Sequence, residues 1–274
     1  MTNLLKADFK RVLKDRLFLV VCIIAGAFAF ITPMLYVAIF SSFEGEMDEM
    51  LSMLGMSVSA KSMFFAAFAL TDNLGLVLPI LLSVILCKDF SHGTVRNKII
   101  AGYSRRDIFL SMLTVCFTVL FGVLLAHAIL TMLVSLIFFP FGEGSFGYFL
   151  LSVLFELLVC LFVASLISFL CASTKSTGLA VVFYVATTMI MSIVTAVLQI
   201  GGMILSPELG MSTGGGYKVV EFLQSINVFG FSSVIGAGTE YSAREVLSCI
   251  LSPTVFAAAL TALGTYNFGH KDLK

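Results

Sequence analysis

The chain has 274 residues, of which 59% are hydrophobic and 12% charged, and a mean hydropathy of +1.07. A soluble domain carries about 25% charged residues, so the composition excludes one and indicates an all-α integral membrane protein. Sixteen Lys and Arg balance sixteen Asp and Glu, but the two signs are segregated along the chain.

Residues 1–16 hold five basic residues. Leu5, Phe9, Val12 and Leu13 recur at helical spacing with Lys6, Lys10, Arg11 and Lys14 between them, which predicts an amphipathic helix in the headgroup region. The apolar run 17–40 has 24 residues, and about 20 suffice to cross a hydrocarbon core. Small-residue triplets around Ala27 resemble cleavage sites. The apolar run continues well past them behind a long leader of mixed charge, so we read it as a retained span. Acidic residues dominate 41–62.

A second span is expected over 63–87, with Asp72 and Asn73 inside it and Pro79 as a kink. A basic stretch, 88–107, follows. The third span, 108–139, exceeds one perpendicular crossing and should tilt or project. Residues 140–145 form a tight turn, 146–172 the fourth span, and 173–177 a short loop around Lys175. The fifth span is 178–205. Within 206–245, Val219–Leu223 and Ile226–Ile235 are apolar but too short to cross. They are expected to be short re-entrant helices under protein cover. The sixth span, 246–269, contains Gly264, which permits close helix approach, and residues 270–274 form a tail.

With the N-terminus inside, the inner segments carry thirteen Lys and Arg and the outer segments three. That asymmetry predicts six spans with N- and C-termini cytoplasmic.

The stretch 88–107, KDFSHGTVRNKIIAGYSRRD, holds five of the sixteen basic residues. Thr94–Ala101 spans about two helical turns. Gly102 stands where a left-handed residue ends a helix cheaply, and Ser104-Arg-Arg-Asp107 matches a capping box before a long apolar run. Val95 and Ile99 share a face at i,i+4 spacing with Ile100 beside them. A solvated basic loop is one reading of this elbow. A docking knob for a soluble partner is the other, and the isoleucines favour it.

No G-x-x-x-x-G-K-[ST], H-E-x-x-H or serine elbow occurs, and the six cysteines show no C-x-x-C spacing. We therefore expect no enzyme activity, no metal and no cofactor in this chain, and no nucleic-acid partner. Any ATP and Mg would belong to another subunit. Asp72, His127 and Glu156 lie within spans, where an ionisable group costs about 2.5–3.5 kcal/mol on insertion scales and is a functional candidate. Either carboxylate, placed about nine or ten residues from the outer end of its span, is expected to reach an outer vestibule or to pair with Asn73, Gln199 or His127.

Asp89-Phe-Ser-His-Gly93-Thr94-Val95-Arg96, followed by Ser104-Arg105 and a long apolar helix, resembles the inner loop of ABC-2-type ABC transporter permeases. The layout of the whole chain is similar to theirs, although Asp89 stands where that family more often has glutamate. The resemblance implies that the elbow is a coupling helix inserted in a cleft of a separate nucleotide-binding subunit, with Asp89, Gly93, Thr94, Val95, Arg96, Ile99, Ser104 and Arg105 as coupling residues. It further implies a second permease copy or paralogue, a bacterial cell membrane, and export of amphipathic or antimicrobial peptides or toxins. Rival readings are an ion-coupled secondary transporter using Asp72 and Glu156, and a non-transporting immunity or sensor subunit.

Overall fold

The computed structural model describes residues 2–42, 58–68, 73–142, 145–205, 215–231, 235 and 241–270. In chain order the helices are α1 (Thr2–Lys14), α2 (Arg16–Ser42), α3 (Ala60–Ala66), α4 (Asn73–Ser91), α5 (Thr94–Ile100), α6 (Arg105–Ser135), α7 (Phe146–Thr174), α8 (Thr177–Ile204), α9 (Gly215–Ile226) and α10 (Ala243–His270). A short 3₁₀ turn, Val228–Gly230, follows α9, and no strand occurs among the described residues. Six of the helices (α2, α4, α6, α7, α8 and α10) are long and apolar enough to cross a membrane.

Helices α6 and α7 form the centre. Helix α6 packs against α1, α2, α3, α4, α7 and α10, while α7 packs against α4, α8 and α10. Their facing residues, among them Phe109, Cys116, Leu120, Leu124, Phe155 and Val163, are buried. The outer helices expose apolar side chains instead: Leu179, Val182, Met189, Ile193 and Val197 on α8, and Leu247, Leu251, Val255 and Leu263 on α10. Apolar faces of this length suit a lipid solvent, within which a helix keeps its backbone hydrogen bonds internal. The fold is that of a multi-pass helical membrane protein.

The expected second span, 63–87, is not one helix. Helix α3 begins at 60 because Ser59 and Ser62 form a capping box, and its first amides donate to Pro140 O (2.9 Å) and Phe141 O (3.0 Å). Phe64 and Phe65 then pack against Phe149 at 5.1 and 5.4 Å between ring centroids. The apolarity of 63–68 therefore serves aromatic packing against α6 and α7, and the spanning helix α4 starts at Asn73 and extends to Ser91. The third span likewise starts earlier than expected, at Arg105.

At Gly264 a side chain would have nowhere to go, since an added Cβ would overlap the Phe109 ring on α6. Gly264→Ala should lower stability by about 1–3 kcal/mol through overpacking, read as a lower unfolding temperature in detergent. Gly122→Ala, at an exposed site with nothing within 4 Å, should leave that temperature unchanged or raise it.

Candidate functional site

The elbow takes its shape from two glycines. Gly93 (φ +68°) lies between α4 and α5, and Gly102 (φ +90°) ends α5. A Cβ at either would meet nothing within 4 Å, so the requirement is conformational rather than steric. At the end of α5, Gly102 N donates to Ile99 O (2.9 Å) and Tyr103 N to Lys98 O (3.2 Å), the paired bonds of a Schellman cap. Ser104 Oγ then accepts from Asp107 N at 3.1 Å and donates to Asp107 Oδ2 at 2.8 Å. The cap expected at 104–107 is present, with the aspartate bound by the serine hydroxyl rather than by its backbone amide.

The elbow is bound to the N-terminal helix by charges. Lys98 on α5 pairs with Asp8 of α1 at 2.7 Å and with Asp89 of α4 at 3.3 Å. Asp89 also pairs with Arg11 of α1. Ser111 of α6 donates to Asp8 at 2.7 Å. The side chains of Asp8, Asp89 and Lys98 are 6%, 5% and 12% exposed. Burial pushes the Lys98 amine below its ordinary value, against the upward pull of its hydrogen bond to Asp8. At the margin, Lys88 pairs with Asp15 at 2.9 Å in a more open setting. Burial works to raise the Asp15 carboxyl, but the bonds from Lys88 and the Leu17 amide prevail and hold it below its usual range.

This geometry corrects several sequence expectations. The apolar set expected on α1 divides: Val12 is buried beside Leu4 and Asp8, Leu5 and Phe9 are partly covered against the core, and Leu13 is exposed. Val95 is 4% exposed and Ile99 packs against the core, on the same side of α5 as Lys98 and its two carboxylates. Asp89 is likewise buried. The Arg105 guanidinium donates to Gly269 O at 3.2 Å and so anchors the end of α10. Of the eight expected coupling residues, Asp89, Val95, Ile99 and Arg105 are therefore engaged within the chain. Gly93 and Thr94 are partly covered, whereas Arg96 and Ser104 are exposed. The outward face of α5 is Arg96, Asn97 and Ile100, the last 75% exposed.

Of the intramembrane candidates, His127 and Glu156 do not pair with each other. Asp72 lies outside the described residues. His127 Nδ1 lies 2.9 Å from Ala25 O and so ties α6 to α2. Glu156 is 1% exposed, and neither carboxylate oxygen has a hydrogen-bond partner among the described residues. It reaches no vestibule and pairs with neither Gln199 nor His127. Among the described residues no group of three or more His, Cys, Asp or Glu is arranged to hold a metal ion.

Asp8 was legible as a lone carboxylate in register with Leu4 and Val12, but nothing local names Lys98, ninety positions away, as its partner. Comparisons with protein-family models, with curated proteins and with solved structures return no match to this chain.

Removing one member of a buried ion pair leaves the other uncompensated, at a cost of about 3–5 kcal/mol. Lys98→Met should therefore lower the unfolding temperature markedly and open residues 2–14 to protease. Lys88→Ala, at the half-exposed pair, should change stability by less than about 1 kcal/mol.

Proposed function

We propose that the chain is the permease subunit of an ATP-binding cassette exporter, powered by a separate ATPase subunit and paired with a second permease. Amphipathic or antimicrobial peptides or toxins are its proposed substrates. One observation carries this reading. A two-turn helix is held rigidly by buried charges on one side and presents Arg96, Asn97 and Ile100 to solvent on the other. An exposed Ile beside an Arg on a helix fixed at both ends suits a cleft in a soluble partner, where a solvated loop would need neither the apolar residue nor the fixed geometry. The resemblance of residues 89–105 to the permease inner loop points the same way, and the positive-inside count supports a cytoplasmic α5.

In this mechanism, closure of the ATPases on ATP moves α5 as a rigid body. Because Gly102–Ser104 is a fully bonded cap, the displacement enters α6 at its first turn. It also reaches α10 through Arg105 and α1 through Lys98. The central helix of the bundle tilts, and the space between the two permeases changes.

Arg96→Glu combined with Ile100→Asp should abolish co-purification of the ATPase and substrate export, while leaving stability within about 1 kcal/mol of the parent's, since both sites are on the surface. Retained co-purification and export would rule the reading out. Glu156, without a partner among the described residues, favours a second reading, an ion-coupled carrier. Under that reading Glu156→Gln stops transport whether or not an ATPase is present; under the permease reading the surface double variant is the one that stops it.

A further inference from the structure

Along α10, Thr254, Ala258, Ala262, Thr265 and Gly269 recur every three or four residues, which puts these small side chains on one stripe of the helix. Two hollows lie along that stripe and share Ala262. The first, about 500 Å³ and open at the side, has Leu113 of α6 and Leu161 of α7 as its far wall. The second, about 550 Å³, is walled by Arg105 and Arg106 in the first turn of α6 and by Tyr266 and His270. Arg106 and Leu113, two helical turns apart, lie on the same face of α6. The two hollows therefore make one groove, apolar along most of its length and basic at the end nearest α5.

Length and charge together say what fits. From Ala262 to Thr254 the helix rises about 12 Å, close to the depth of one leaflet of a hydrocarbon core about 30 Å thick. The hydroxyls on the stripe are occupied within α10, since Thr254 donates to Ile250 O at 2.7 Å and Thr265 to Ala262 O at 2.8 Å. That part of the groove therefore suits an alkyl chain. At the other end Arg105 is fixed by Gly269 O at 3.2 Å. Arg106 beside it is exposed and forms no ion pair among the described residues. The acid next in sequence, Asp107, is bound in the helix cap and does not line the groove. Arginines at a helix end ordinarily need only the headgroup region around them. Here they stand at the head of an apolar groove, and that combination matches an anionic headgroup with its tail.

We propose that this groove binds one anionic phospholipid. Its phosphate lies against Arg106 and the first turn of α6, and an acyl chain runs along Ala262, Ala258 and Thr254 against Leu113 and Leu161. A zwitterionic lipid has the same chains, but its own cation competes with Arg106 for the phosphate. Free phosphate has the charge without the chain. The bound lipid bridges α6 and α10 at the junction that Arg105 already makes, and so tightens it. The inference goes beyond the permease reading and does not depend on it, because neither an ATPase nor a transported substrate takes part.

The test uses the full chain purified in mild detergent. Retained lipid is counted by native mass spectrometry, and the unfolding temperature is followed against added dioleoylphosphatidylglycerol, dioleoylphosphatidylcholine and inorganic phosphate. One retained phosphatidylglycerol per chain is expected, with a rise in unfolding temperature that the other two do not produce. Arg106→Gln should weaken that lipid about tenfold, the loss of one charge-assisted bond. Ala262→Phe, which fills the junction of the two hollows, should weaken it at least as much. Both sites are exposed, so without lipid each variant should unfold at the parent's temperature. Lys10→Gln, at an exposed position of α1, should leave retention unchanged. An equal response to phosphatidylcholine or to inorganic phosphate would overturn the proposal. So would unaltered retention in Arg106→Gln or in Ala262→Phe, or an equal loss in Lys10→Gln, which would mean attraction to the basic surface as a whole.

Discussion

A cluster of four charges, Asp8, Asp89 and Lys98 largely buried and Arg11 at its partly exposed edge, sets the shape of this molecule around α5. Asp8 and Arg11 of α1 meet Asp89 and Lys98 of the consecutive helices α4 and α5, which lie far from α1 in sequence, and Ser111 of α6 donates to Asp8. Such a cluster is a poor source of net stability, because taking the ions out of water costs nearly as much as their attraction returns. Its effect is on geometry. With two carboxylates and two cations in mutual reach, any sliding of α1 along α5 strands a charge, so the two move as one piece or not at all.

The same constraint explains why α5 presents the face it does. Val95, Ile99 and Lys98 share the inward side of α5, the apolar pair against the core and Lys98 against Asp8 and Asp89. Arg96 and Ile100 are left outside. Gly93 and Gly102 supply the reversals at either end, and Arg105 ties the start of α6 to the last carbonyls of α10. A force on the outward face of α5 thus has three exits, into α1, α6 and α10, which is the property that the proposed coupling role requires.

Much of this was legible in the sequence. Hydropathy and length mark the six spanning helices, Gly102 marks the end of α5, and Ser104 marks the start of α6, because each of these signals acts within a few residues. What was not legible depends on contacts across the chain. Apolarity at 63–68 reads as part of a span, and only the nearness of Phe149 shows that rings rather than lipid are its neighbours. Spacing puts Val95 and Ile99 on one face without saying whether that face looks inward. Glu156 looked able to find water or a partner, yet α7 turns it into the packed interior, where its carboxylate has no partner among the described residues. The groove beside α10 draws on residues from 104 to 270, and no local motif announces it.

The central claim is that α1 and α5 form a single ion-paired body. Hydrogen–deuterium exchange in the parent and in Asp8→Asn tests it directly, with residues 2–14 and 94–100 followed separately. If the claim holds, loss of the Asp8 charge raises exchange in both segments to a similar degree, since each is held through the same lysine. Faster exchange in 2–14 with 94–100 unchanged would show that α5 is fixed by the core alone, and would contradict it.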